Sequence, residues 1–280
     1  MPETGTASGD VATRELYLDL LKRAVSHTLY SRTDVGPLAG RNQITRALLR
    51  EADRRGLLLL REVEDPEGQR EEGRDWPLFG QTMIGLKRLE NLQFCVEDVV
   101  ERSLPGDLIE TGVWRGGATI FMRGILAAHG VRDRTVWAAD SFEGLPRADT
   151  EPYPADADGA LWHLEHRLAI SLEEVQGNFE RYGLLDDQVR FLKGWFKDTL
   201  HTVPDPQWAV IRLDGDMYGS TMEALTALYP NLMPGGYVIV DDYSAIDVCR
   251  RAVDDYRKRN GIEDPIQQID WTGVYWQRSA

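Results

Sequence analysis

Two apolar runs in this chain end in acids: Arg212-Leu213-Asp214-Gly215-Asp216 and Val238-Ile239-Val240-Asp241-Asp242. Short apolar runs bounded by acids and glycine read as buried strands. If the two strands are neighbours, Asp214, Asp216, Asp241 and Asp242 converge at one carboxyl edge of a sheet. Carboxylates gathered so closely repel one another unless a cation neutralises them. An oxygen-only set suits magnesium, calcium or manganese better than zinc. The alternative is two unrelated acidic loop starts, with Asp242 capping a helix. Ligands bind at the carboxyl edge of open α/β sheets, so a metal site is the preferred reading.

A third apolar run, Asp107-Leu108-Ile109-Glu110, opens into the turn Thr111-Gly112-Val113-Trp114-Arg115-Gly116-Gly117. Glycines let a backbone approach a ligand closely, and the helix predicted after the turn offers free N–H groups. The spacing is G-x-x-x-G-G. It matches neither the dinucleotide pattern G-x-G-x-x-G nor a P-loop, and suits a ligand that lays an amino acid and a ribose over the turn. Asp140 ends the next strand, Val136-Trp137-Ala138-Ala139-Asp140, where a carboxylate can accept from both ribose hydroxyls. Together these point to an adenosine ligand, either NAD or S-adenosylmethionine. Gly194-Trp195-Phe196 follows another strand, and its aromatic rings pack either on a purine or in the core. His163 and His166 are candidate acid–base groups or surface residues, and Trp114, Tyr218 and Tyr243 are candidates for an acceptor pocket.

Strands and helices alternate around these residues. The pattern predicts a helix over 86–101, strand 107–112, helix 117–129, strand 135–140, helix 172–182 and strand 188–194. Strand 208–213, helix 220–229, strand 236–241 and helix 247–259 follow, and segments 266–269 and 274–277 read as a hairpin. This is an α/β class: a doubly wound, mostly parallel, seven-stranded Rossmann-like sheet with an antiparallel C-terminal hairpin. Residues 1–85 read as an N-terminal helical extension and lid, and 86–280 as the main domain. Within the extension, helices are expected at 15–30 and 43–61, no structure at 1–13, and a mobile connection at 62–75. The long insertion 145–170, rich in prolines and acids, reads as a mobile substrate lid.

The chain has 280 residues and a formal charge of −14, which argues against a nucleic-acid partner. Cys95 and Cys249 lie in no metal or redox motif, and fit buried thiols of a reducing cytosol. The polar start shows no signal peptide, and apolar runs such as Leu57 to Leu60 are far too short to span a bilayer, so no membrane is expected.

The stretch Leu108 to Gly117 resembles the cofactor motif of the macrocin O-methyltransferase family. Arg132 to Trp137 with Ala139-Asp140-Ser141-Phe142 is similar to it as well, and so are Val189 to Leu192 with Gly194 to Thr199, Asp214 to Tyr218, Gly235 to Tyr243 and Gly273 to Trp276. The resemblance covers residues 15–31 and 72–280. It implies a magnesium-dependent O-methyltransferase that uses S-adenosylmethionine on a sugar hydroxyl of a glycosylated small molecule such as an antibiotic. It also implies a cytoplasmic enzyme working as a homo-oligomer, a dimer or higher. Glu110, Thr111, Gly112, Arg115, Gly116, Gly117, Asp140 and Ser141 would hold the donor, with Gly194, Trp195 and Phe196 beside it. Thr82, Met83 and Ile84 would fold over it. Asp214, Asp241 and Asp242 would bind magnesium, with Asp214 also the base. The rivals are a catechol or phenol O-methyltransferase, an NAD-dependent oxidoreductase and a non-catalytic binding protein. Nothing in these residues names the sugar or its hydroxyl.

Overall fold

Leu108 and Ile109 are neighbours in sequence, yet they sit in different hydrophobic cores. Ile239 and Val238 divide the same way. Such a period of two, with both faces apolar, belongs to strands buried between layers of helices.

The computed structural model describes residues 6–29, 35–38, 42–57, 59–62, 66–147, 151–158 and 165–279. The N-terminal part holds α1 (Thr6–Val25), β1 (Val35–Pro37), α2 (Gln43–Arg54), β2 (Leu60–Glu62) and α3 (Pro66–Glu72). Then come α4 (Leu86–Glu101), β3 (Asp107–Thr111), α5 (Gly117–Ala128), β4 (Val136–Asp140), α6 (Glu165–Leu168), α7 (Leu172–Arg181) and β5 (Val189–Lys193). The chain closes with α8 (Phe196–Thr199), β6 (Trp208–Leu213), α9 (Tyr218–Leu228), β7 (Leu232–Val240), α10 (Asp247–Arg259), β8 (Gln267–Gln268) and β9 (Val274–Gln277).

The strands order as β5-β4-β3-β6-β7-β9-β8 in one seven-stranded sheet. The pairs from β5 to β7 are parallel, and β9 runs antiparallel to both β7 and β8. One core packs α1, α4, α5 and α7 on one face through Leu18, Leu92, Phe121 and Phe179. The other packs α9 and α10 on the opposite face through Leu225, Val253 and Trp276. The predicted doubly wound sheet and its antiparallel end are therefore present. Chain order reverses between β3 and β6, and the crevice at their carboxyl ends is the expected ligand position.

The N-terminal part departs from expectation. Helix α1 begins at Thr6 rather than near Glu15. Its buried stripe is Leu18, Leu21 and Val25, while Leu16 and Leu20 face outward. The pair β1 and β2 was not expected. Nor is 62–75 a loose connection throughout, because α3 lies within it. Arg70, at 4 % exposure, donates to the carbonyl of Ile84 at 2.9 Å and to that of Met83, and pairs with Asp75 at 3.2 Å. Arg70 orders this charged segment together with buried Arg88, which donates to the Gly73 carbonyl at 3.3 Å, and hydropathy alone does not reveal it.

Candidate active site

At the switch point the backbone leaves no space. Gly112 adopts a φ of 84°, and a Cβ there would lie 1.9 Å from the carbonyl oxygen of Asp214. Only glycine fits both the conformation and the approach of β3 to β6. Gly116 caps α5, also with a φ of 84°. A Cβ on Gly117 would lie 2.5 Å from the Gln81 backbone, and its N–H donates to the Gln81 carbonyl at 2.9 Å. These glycines bring protein backbone onto the turn, and the segment before Thr82 closes down on it.

A cavity of about 840 Å³ opens over this edge. Of the predicted site residues it gathers Met83, Gly112, Asp140, Ser141, Gly194, Trp195, Phe196, Asp214, Asp241 and Asp242. Thr82, Ile84, Glu110, Thr111, Arg115, Gly116 and Gly117 form the structure behind its wall. Thr82 accepts from the Ile84 N–H at 3.3 Å. Arg115 reaches away to the carbonyls of Leu78 and Gly80, at 3.1 and 2.9 Å. Asp140 accepts from the Val113 N–H at 2.7 Å on one oxygen and from the Phe142 N–H at 2.8 Å on the other. Burial raises its pKa, against those hydrogen bonds. The second of these oxygens also accepts from the Ser141 hydroxyl at 3.4 Å, which leaves the first the freer of the two.

Arg212 and Arg88 organise the acids. Arg212, at 1 % exposure in β6, donates to Glu110 and Asp241, and to Oδ2 of Asp214 at 3.0 Å. Burial works against its charge, but Asp241, Asp214 and Glu110 more than offset this and hold its pKa above the usual range. Arg88 of α4 donates to the other oxygen of Asp241 and to Asp270 at 2.9 Å. Asp270 in turn accepts from the N–H groups of Thr272 and Gly273, which ties the β8–β9 turn to the site. Both oxygens of Asp241 therefore accept from arginines. Glu110 accepts from Thr119 as well as Arg212, and burial still lifts its pKa to about 7.

The carboxylates that meet in the cavity are Asp214, Asp216 and Asp242, with one oxygen of each within 4.8 Å of the others. Burial and the Asp241 charge push Asp214 up to about 6, against the pull of Arg212. Burial and the Asp214 charge push Asp216 to about 7, and burial with the charges of Asp216 and Asp214 raises Asp242 well above the usual carboxylate range. Among the described residues, Oδ2 of Asp242 is buried without a hydrogen-bond partner. An orphaned carboxylate oxygen beside two other acids is a fitting donor set for a hard divalent cation.

The remaining candidates divide. Trp114 lines the cavity, and its indole N–H donates to the Arg167 carbonyl at 3.0 Å. The Tyr218 and Tyr243 hydroxyls turn away to Asp255 and Asp254 of α10, at 2.9 and 2.7 Å. His163 lies outside the described residues, and the His166 backbone is in α6. Arg88, Arg212, Asp270 and Asp156 belong to the site or its support and were assigned no role from sequence. One signal was available for Arg212: a cation inside an otherwise apolar buried strand requires a counter-ion.

Residues 14–278 match the family model described as Macrocin-O-methyltransferase (TylF). The chain belongs to this macrocin O-methyltransferase family. A mycinamicin III 3''-O-methyltransferase of Micromonospora griseorubida is 53% identical over 268 residues, covering 95% of this chain and 97% of that protein. A demethyldecarbamoylnovobiocin O-methyltransferase of Streptomyces niveus is 50% identical over 278 residues, with 99% of each covered. The solved structure of the O-methyltransferase NovP superposes with a TM-score of 0.82 at 50% identity, over 95% of this chain and 100% of that one. This macrocin-type chain is thus an enzyme, an O-methyltransferase. Among its described residues no helix is long and apolar enough to cross a membrane.

Proposed function

We propose that this O-methyltransferase moves the methyl group of S-adenosylmethionine to a sugar hydroxyl of a glycosylated natural product, with magnesium held by Asp214, Asp216 and Asp242. The observation that carries the metal is the convergence of these carboxylates around the orphaned oxygen of Asp242. The sugar acceptor is carried over from a relative of Streptomyces olivaceus, 52% identical, that is named as the 4'-O-methyltransferase of a rhamnosyl-tetracenomycin C. Residues 1–85 serve as the helical segment that covers the donor through Met83, and 86–280 as the transferase domain. Exposed Leu16, Leu20 and Phe79 are consistent with a homo-oligomer, and the free thiols of Cys95 and Cys249 with the cytosol.

The chain's own residues divide the work. Asp140, fixed by two backbone N–H groups, accepts from the donor ribose. Gly112 lets β3 come close to the start of the acidic loop beside the donor, and Trp195 and Phe196 flank its purine. A bound divalent cation would lower the pKa of the acceptor hydroxyl. The resemblance gives Asp214 both metal and base roles. Its Oδ2 already accepts from Arg212, which lowers its basicity, so Asp214 is assigned to the metal alone, and Asp216 takes the proton besides its share of the metal. The hydroxyl proton passes to Asp216 as the oxygen attacks the methyl carbon, and the sulfur leaves with the electron pair of its broken bond. Holding the two substrates in line supplies much of the acceleration. Asp241 keeps Arg88 and Arg212 in place beneath the acids.

The deciding experiment supplies methyl-labelled S-adenosylmethionine with glycosylated macrolides and aminocoumarins, and separately with catechols, each with magnesium or with a chelator. Label should enter the sugar of a glycosylated acceptor, and the chelator should abolish transfer. Label entering only catechols would overturn the sugar reading, and full activity in chelator would overturn the metal. Replacing Asp140 by alanine should weaken S-adenosylhomocysteine binding by about 1–3 kcal/mol, the scale of hydrogen bonds to a charged group. Calorimetric titration checks this, and an unchanged dissociation constant would remove Asp140 from the donor site.

A further inference from the structure

Helix α9 starts at Tyr218, and its N-cap residue is Met217, whose side chain makes no capping bond. The cap comes from elsewhere. Asp156, at 2 % exposure, accepts from the Tyr218 N–H at 2.7 Å on one oxygen and from the Gly219 N–H at 2.9 Å on the other. It lies in the one-turn helix Pro154–Asp158 of the insertion that follows β4. A carboxylate on the first-turn amides of a helix satisfies orphan donors and complements the helix dipole. The described part of the insertion is therefore docked, and is not the loose segment its composition suggests.

The docking is close-fitting. A Cβ on Gly219 would lie 2.7 Å from Cδ2 of Tyr153 and 2.9 Å from Oδ2 of Asp156. The rings of Tyr153 and Tyr218 lie 6.1 Å apart. On the other side of this contact the acidic loop is as tight. Only residues 214–217 join β6 to α9. Asp216 holds a positive φ of 57°, and the Met217 N–H donates to the Gly215 carbonyl at 2.5 Å. A shift of the start of α9 is carried into Asp216 within two residues. Both Asp156 and Asp216 line the same cavity.

We propose that Asp156 is a positioning residue that couples the insertion to the acidic loop, so that the wall of the acceptor pocket and Asp216 are set in register by one carboxylate. The inference rests on the proposed role of the acidic loop in methyl transfer. A purely stabilising cap would leave no difference between donor and acceptor, whereas this coupling falls mainly on the acceptor, because Asp156 bonds the start of α9 while Asp140 is held by the N–H groups of Val113 and Phe142.

The test compares Asp156→Ala and Asp156→Asn with the unaltered enzyme, by acceptor kinetics, donor titration and hydrogen exchange without substrate. In the alanine variant, kcat/KM for the acceptor should fall at least tenfold with a raised acceptor KM, while the donor dissociation constant stays within twofold. Amide protection in peptides covering 151–158 and 217–222 should fall together. Asparagine keeps one acceptor oxygen and should recover part of both, and it serves as the test where the alanine variant does not fold. Equal losses for donor and acceptor, or acceptor kcat/KM within twofold of normal, would overturn the proposal. So would unchanged exchange at 217–222. If the unaltered enzyme methylates no glycosylated acceptor, the functional reading fails by itself, and the exchange result still decides whether the two segments are coupled.

Discussion

Replacing Arg212 by methionine should destabilise the fold by about 3–5 kcal/mol in metal-free buffer, the range for breaking a buried ion pair by removing one partner. The side chain lies at 1 % exposure and donates to Glu110, Asp214 and Asp241. Methionine fills much of the same volume, so little of the loss comes from a cavity. The cost arises because those carboxylates keep their burial and lose their cation. Arg88 still reaches Asp241, but among the described residues no other arginine bonds Glu110. Adding Glu110→Gln to the same protein should recover part of the loss, since it removes one of the carboxylates that lose their arginine, Asp214 being the other. Urea unfolding of the single and double variants measures both effects. A loss below about 1 kcal/mol, the usual value of an exposed pair, would show that the acids do not depend on Arg212.

That network also marks where sequence reasoning reached its limit. The apolar runs placed β6 and β7 side by side, and the glycines at 112, 116 and 117 located the turn, because both signals are local. The neighbouring Asp241 and Asp242 looked equivalent. What separates them is Arg88, which meets Asp241 across 153 positions in the chain. Within α4 the apolar spacing of Leu89, Leu92, Val96 and Val99 announces a helix, and Arg88 reads as one more solvated charge on it. Arg70 in α3 and Asp156 in the insertion were hidden for the same reason. Hydropathy scores a side chain by type, whereas a buried charge is decided by the partner it meets. Segments rich in charge were therefore expected to be loose, although buried hydrogen-bonding groups anchor them.

The sharpest expectation for turnover concerns Asp216, whose part in the reaction depends on its difference from Asp214. Both line the cavity and both are raised by burial. Asp214 shares its Oδ2 with Arg212, while among the described residues no arginine bonds Asp216. Replacing Asp216 by asparagine keeps the shape and an oxygen for a cation but removes the proton acceptor. The turnover number should fall by about 10²–10⁴, the usual contribution of a positioned base. Donor affinity should hold, because Asp140 is fixed by the N–H groups of Val113 and Phe142 and not by Asp216. Replacing Asp242 by asparagine should act differently, because it weakens metal binding but leaves the proton acceptor in place. Its activity should therefore climb as magnesium is raised, whereas that of the Asp216 variant should stay low at every concentration. Magnesium titrations of turnover for the two variants separate the roles. If magnesium restores the Asp216 variant, that residue is a ligand only and the base must be sought elsewhere in the cavity. If the Asp216 variant keeps more than a tenth of normal turnover at ordinary magnesium, the proton does not go to this carboxylate.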